Sequence, residues 1–171
     1  MTKNLWIIMA FVSIAVGAFF VTRQFKNFEN RPPGSTDVLQ KFSVVDYVGN
    51  VIQSEDLVGT PLVLNAWATW CPFCIKELPD FVAAQSEFGD LVKIIAINRQ
   101  ESPDRSKRFI NELGLDDQLI FLLDPDDNFY RSIGGYVMPE TVFIDAGGKI
   151  IFRKRGPMQI EEIRQKIESI L

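Results

Sequence analysis

The sequence predicts an α/β domain: a mixed central β-sheet flanked by helices on both faces, with an N-terminal β-hairpin and one apolar helix ahead of it. Three observations predict this. Apolar runs of strand length alternate with stretches of helical period through the middle of the chain, the pattern of a β-α-β-α-β unit. Turn signals flank that middle with a hairpin at each end. The two cysteines of the chain, Cys71 and Cys74, stand three positions apart where a strand hands over to a helix.

Residues 5–21 carry no charge over seventeen positions. This is the short end of what crosses a bilayer, and Trp6, Phe19 and Phe20 suit its interfaces. Residues 1–24 are therefore expected to anchor the chain in a lipid bilayer as a single-pass segment. A cleaved signal peptide is the rival reading, with Ala15 and Gly17 or Val16 and Ala18 near a cut, but the apolar run continues past either site. The basic residues after the segment (Arg23, Lys26, Arg31) outnumber Lys3 before it, which by the charge rule puts the C-terminal side in the cytoplasm. Disulfide chemistry favours the opposite side, and the domain is expected on the extracytoplasmic side of the cell membrane. Residues 25–40, with Arg31-Pro32-Pro33-Gly34-Ser35, read as a polar tether that does not pack. Residues 41–171 form the domain.

Within it, residues 42–47 and 48–53 read as a hairpin turning at Gly49-Asn50. Ser54 is expected to cap one helical turn ended by Gly59. Thr60-Pro61 opens the central strand, which runs through Trp67. A helix follows from about 71 to 88, with Pro79 expected to kink it. Residues 91–97 are a fully apolar strand of the buried parallel type. Ser102-Pro103 starts a helix through Leu113 that Gly114 ends. Residues 119–123 form a strand and 126–133 a short helix. Residues 141–145 and 149–155 pair across Gly147-Gly148 at the sheet edge. Ile160, Ile163, Ile167 and Leu171 mark the apolar face of a last helix.

Trp67 alternates into the core. Trp70, just before Cys71, is expected beside a substrate groove, and Tyr136 fits either setting. Arg153, Lys154 and Arg155 read as the solvated end of a strand.

The cysteine pair carries the chemistry. Unpaired N–H groups and the macrodipole at a helix N-terminus favour a thiolate there. Pro72 suits the first helical position. One turn separates the sulfurs, so a disulfide can form and break. A structural staple across so short a loop gains little. A metal centre lacks ligands, because the chain has no histidine and no further cysteine. No metal and no cofactor beyond the Cys71–Cys74 disulfide is expected. A carrier holding metal on the two thiolates is the non-enzyme alternative, and it leaves the proline pattern unexplained. The chain's net charge is −4, with 14 basic against 20 acidic residues from position 41 onward, which argues against a nucleic-acid partner. Peroxidase chemistry is disfavoured by Leu64 and Ala68, which stand where peroxiredoxins place proline and threonine.

The run Leu64-Asn65-Ala66-Trp67-Ala68-Thr69-Trp70-Cys71, then Cys74 with Glu77-Leu78-Pro79, resembles the thioredoxin-fold, membrane-tethered thiol-disulfide reductases of the TlpA, ResA and CcmG/DsbE kind. The stretch Val137-Met138-Pro139-Glu140-Thr141-Val142-Phe143-Ile144-Asp145 and the Gly147-Gly148-Lys149 turn extend the resemblance over residues 41–171. It implies a thiol-disulfide oxidoreductase with a thioredoxin-like fold. It also implies a cis Met138–Pro139 bond facing the disulfide, where Trp70, Met138 and Pro139 meet substrate, and a protein client such as apocytochrome c. Electrons would come from a membrane donor of the DsbD/CcdA type.

Asn65 occupies the place of the buried acid of general thioredoxins. The resemblance nominates Glu101 as the carboxylate that handles the Cys74 proton. Glu77 is the rival, unless Lys76 makes it a plain surface pair, and Glu140 is a third candidate. Between the cysteines, the order Pro72-Phe73 is that of the more oxidising DsbA-type motif, so a thiol oxidase or isomerase is the alternative to a reductase.

Overall fold

A computed structural model describes residues 38–171. The expected anchor at residues 1–24 and residues 25–37 of the tether lie outside the described residues. No helix among the described residues is long and apolar enough to cross a membrane.

Seven strands form one sheet. They are β1 (Ser43–Val45), β2 (Val51–Gln53), β3 (Leu62–Trp67), β4 (Lys93–Arg99), β5 (Ile120–Asp124), β6 (Glu140–Ile144) and β7 (Ile150–Arg155). Their order across the sheet is β2-β1-β5-β4-β3-β6-β7. The central β3, β4 and β5 are parallel, and the outer pairs are antiparallel. The helices are α1 (Pro72–Phe88), α2 (Pro103–Leu113), α3 (Asn128–Ser132) and α4 (Ile160–Glu168).

The alternation of strand side chains divides the core in two. On one face Val63, Trp67, Ile94, Phe121 and Phe143 meet Phe81 of α1, Ile110 of α2, and Ile163 and Ile167 of α4. On the other, Leu62, Leu64, Ile95, Ile97 and Val142 meet Phe129 and Tyr130 of α3 together with Phe42 and Leu57. Each fully buried Leu, Ile or Phe contributes about 1.5–3 kcal/mol, so both layers hold the sheet in place. Trp67 lies in the core as expected, edge-on to Phe121 with ring centroids 6.0 Å apart.

Several expectations change. The second parallel strand starts two residues later, because Gly89–Leu91 forms a 3₁₀ turn first. Gln53, not Ser54, precedes the short 3₁₀ helix Ser54–Asp56, and the Ser54 hydroxyl instead accepts from the Phe42 N–H at 3.2 Å. The extent of α1 does not change: it runs to Phe88 with Pro79 inside it, as expected. The last residues of the expected tether do pack: Val38 bridges Lys149, and the Leu39 N–H donates to the Gly148 carbonyl at 3.0 Å. Arg153 is not a solvated strand end. It is buried, 3.4 Å from the fully buried Glu140, which lies on β6 two residues from Val142, the register partner of Arg153.

Candidate active site

β3 ends at Trp67, and Ala68 to Trp70 turn the chain into α1. Cys71 is the N-cap, and its carbonyl accepts the first helical bond, from Ile75 N–H at 3.1 Å. Cys71 and Cys74 are joined, with S–S 2.06 Å and Cα–Cα 5.3 Å. The Cys74 N–H donates to Cys71 Sγ at 3.2 Å. An α1 N–H therefore already points at Cys71 Sγ, at a helix end of the kind that stabilises negative charge. Cys71 and Cys74 are both buried, whereas Trp70 is 56% and Phe73 60% exposed. Two large exposed apolar side chains thus flank, in the chain, a disulfide whose cysteines are both buried.

Glu101 holds the approach to this turn. Its Oε2 accepts from the Thr69 N–H at 2.7 Å and from the Asn98 amide at 2.8 Å. Its Oε1 accepts from the Thr69 hydroxyl at 2.5 Å and pairs with Arg105 Nε at 2.9 Å. Burial pushes its pKa up, but the Thr69 donors, Asn98 and Arg105 together hold it below the usual carboxylate value. The side chain named for the Cys74 proton is thus committed, as an anion, to residue 69.

Glu77 follows Cys74 by one helical turn, on the same buried side of α1. At 2% exposure it is no surface partner of Lys76, which corrects that reading. Oε1 accepts from Asn65 Nδ2 at 2.8 Å, and Oε2 from the Met158 N–H at 2.9 Å. Burial raises its pKa to about 7, against the two hydrogen bonds and Lys154, with Asp80 adding to the rise. It also borders a groove of about 680 Å³ lined by Phe73, Lys76, Asp80, Pro157 and Gln159.

The Met138–Pro139 peptide bond is cis. The segment leading to it is held from both ends. Gly135 lies so close to Tyr130 that a Cβ there would meet the ring at 2.6 Å, and Arg99 covers the same ring at 3.8 Å. Glu140, fully buried, accepts from the Tyr136 N–H at 3.0 Å and faces Arg153 and Arg155. Its place is under this segment. Tyr136 is 84% exposed, Val137 is exposed too, and Pro139 is buried. Among the described residues nothing hydrogen-bonds the main-chain N–H or C=O of Met138.

Sequence reasoning missed Thr69, Asn98, Arg105, Thr141 and Met158. Asn65 had a usable signal: it shares strand parity with Val63 and Trp67, so a polar side chain there points into the core and needs a partner. Among the described residues no group of three or more His, Cys, Asp or Glu is placed to hold a metal ion.

Comparison with known proteins agrees with this geometry. The Redoxin family profile matches residues 32–171. The thiol:disulfide interchange protein DsbE of Vibrio cholerae is 30% identical over 164 residues, covering 91% of this chain and 87% of that protein. The thiol-disulfide oxidoreductase ResA of Halalkalibacterium halodurans is 28% identical over 172 residues, covering 98% and 96%. Among solved structures, MTB DsbF in its mixed oxidized and reduced forms superposes with a TM-score of 0.71 at 25% identity, covering 81% of this chain and all of that one. A disulfide capping a strand-to-helix turn, in a sheet of this order, and these similarities have one reading: the chain belongs to the Redoxin family and is a thiol-disulfide oxidoreductase of the DsbE and ResA type.

Proposed function

We propose that this protein reduces disulfides in extracytoplasmic client proteins, apocytochrome c before haem attachment being the expected kind. Residues 5–21 hold it to the lipid bilayer, and a membrane dithiol donor of the DsbD/CcdA type re-reduces it. The observation that carries the reading is the Cys71–Cys74 disulfide at the N-terminus of α1, with apolar side chains outside it and one buried carboxyl of raised pKa behind it.

The Cys71 thiolate attacks one sulfur of the client disulfide. The Cys71–client bond forms, the client S–S bond breaks, and the departing client sulfur takes a proton. The Cys74 thiol gives its proton to Glu77. The resulting thiolate attacks Cys71 Sγ, the 71–74 bond forms, and the second client sulfur leaves and is protonated. Two electrons and two protons pass to the client. Glu77 suits the proton step better than Glu101, because an acid that titrates near neutrality can both take and release a proton at working pH. Trp70, Phe73, Tyr136 and Val137 supply the apolar surface for the client. The free main chain of Met138, beside Pro139, offers an edge for an extended segment.

An oxidase or isomerase is the second reading, favoured by Pro72 at the first helical position and by Phe73, which adds no charge or polar bond to the site. The reduction potential of the full-length chain in detergent separates the two. A value of about −250 mV or lower supports the reductase; one near about −120 mV overturns it in favour of oxidative folding. With Cys74→Ser, clients accumulate as mixed disulfides on Cys71, and their absence removes the exchange mechanism itself.

A further inference from the structure

The face of the sheet under α1 carries a polar string within apolar packing. Asn65 on β3 and Thr141 on β6 are directly opposed across the antiparallel pair. Val63, Trp67 and Phe143 surround them on the same face. Asn65 Nδ2 donates to two acceptors, Glu77 Oε1 at 2.8 Å and Thr141 Oγ1 at 2.9 Å. Asn65 Oδ1 is buried and meets no donor among the described residues.

Both oxygens of Glu77 therefore face donors, the Asn65 amide on one and the Met158 N–H on the other. This arrangement suits a carboxylate. A protonated Glu77 needs an acceptor and has none on either side. The Met158 main chain cannot reverse its N–H. A side-chain amide can, because its oxygen and nitrogen ends are nearly the same size, and a hydroxyl gives or accepts equally. The remaining charged groups facing Glu77 are Asp80 from its own helix and Lys154 from β7, which is itself paired with Glu162 of α4 at 2.7 Å. Neither offers a hydrogen bond to the carboxyl.

We propose that Asn65 is a positioning residue whose side-chain amide inverts with the protonation of Glu77, turning nitrogen toward the carboxylate and oxygen toward the carboxylic acid, while the Thr141 hydroxyl reverses from acceptor to donor. The inverted oxygen accepts from the Glu77 O–H and the Thr141 O–H together. The proposal rests on the reading of Glu77 as the acceptor of the Cys74 proton. It explains how a buried carboxyl is accommodated in both the charged and the neutral form that such a step requires.

The test is NMR of the full-length oxidised protein in detergent, with labelled Glu and Asn, across about pH 5 to 9, a range that brackets the neutral region. The Glu77 carboxyl carbon and the contacts between the Asn65 amide protons and the Thr141 side chain are followed together. The expected result is that these contacts, present at high pH, are lost on the same midpoint as the carboxyl titration. Contacts that persist while Glu77 titrates overturn the amide inversion and leave the proton-acceptor reading standing. A Glu77 that does not titrate in this range overturns both.

A second measurement is the Glu77 midpoint in T141V and T141S. The valine leaves the amide facing a carboxylate with one unpartnered N–H, whereas the inverted amide loses only one of two donors, the smaller penalty for a carbonyl oxygen. T141V is expected to raise the midpoint by about one pH unit, tenfold in proton affinity, with T141S restoring it. A folded T141V with an unmoved midpoint overturns the proposal.

Discussion

Glu77, one helical turn after Cys74, and Glu101, bonded to Thr69 just before Cys71, are both largely buried, yet they sit in opposite electrostatic states. Glu101 collects four donors, one of them the Arg105 guanidinium, and is held as an anion on Thr69. Glu77 has two neutral donors, no cation in contact and Asp80 nearby, so burial dominates and its pKa rises to about 7. Number and charge of donors, rather than burial alone, decide whether a carboxyl near a redox pair braces the backbone or exchanges protons. The contrast is what favours Glu77 over Glu101 in the proton step proposed above.

The largest effect is expected at Glu77. Glu77→Gln should slow the release of reduced client from the mixed disulfide by about 100-fold at neutral pH, the usual scale for losing a positioned proton acceptor. Stopped-flow turnover with a disulfide peptide across pH checks it, and an unchanged profile would return the role to another group. Stability moves the other way. The folded-state pKa of Glu77 is about 7 against 4.5 unfolded, so between those values the native state holds the proton and the unfolded state does not. Stability from this group is therefore full below pH 4.5 and falls as pH rises through about 7, by an amount of order 3 kcal/mol. Glu77→Gln should remove that loss, making the variant more resistant to urea than the parent at pH 8 although it is slower.

The distinction between the two acids was only partly legible from residue order. Strand and helix period placed every element of the sheet and the redox turn, because those signals are local. What escaped is non-local. Glu77 takes its environment from Asn65, 12 residues back, and Met158, 81 residues on, so nothing near it in the chain marks it as buried. Arg153 looked like part of a solvated basic run because its partner Glu140 lies across the β6–β7 pair. Glu101 was found by resemblance, but its direction depends on four donors spread from Thr69 to Arg105.

Glu101→Gln tests the other half of the comparison. An amide there brings an N–H against the donors of Thr69, Asn98 or Arg105, and the loss should be about 1–3 kcal/mol in urea unfolding. The lowered pKa of Glu101 gives stability that is present above its ordinary value of 4.5 and lost as pH falls through the folded value. The gap between parent and variant should therefore be widest at neutral pH and close in acid, the reverse of the Glu77 pattern. The pH dependence of client release around neutrality should stay as in the parent. A change there would make Glu101 a proton carrier after all.

The smallest effect is expected one residue earlier, at Gln100, where the backbone is left-handed with φ 55°. This turn follows the end of β4, is tied by the Gln100 N–H to the Asp124 carbonyl at 3.1 Å, and sets the position from which Glu101 reaches Thr69. Glycine at position 100 relieves about 1 kcal/mol of side-chain crowding and loses a similar amount through the greater freedom of the unfolded chain. Gln100→Gly should therefore change stability by less than about 1 kcal/mol. Valine cannot enter that region without strain, and Gln100→Val should lose about 1–2 kcal/mol. If the strain moves the backbone, Glu101 leaves Thr69 and the acid-limb signature of Glu101→Gln appears in Gln100→Val as well. If Gln100→Val is destabilised while keeping the parent's acid limb, the Glu101 clamp is held by its donors alone and the left-handed turn is incidental to it.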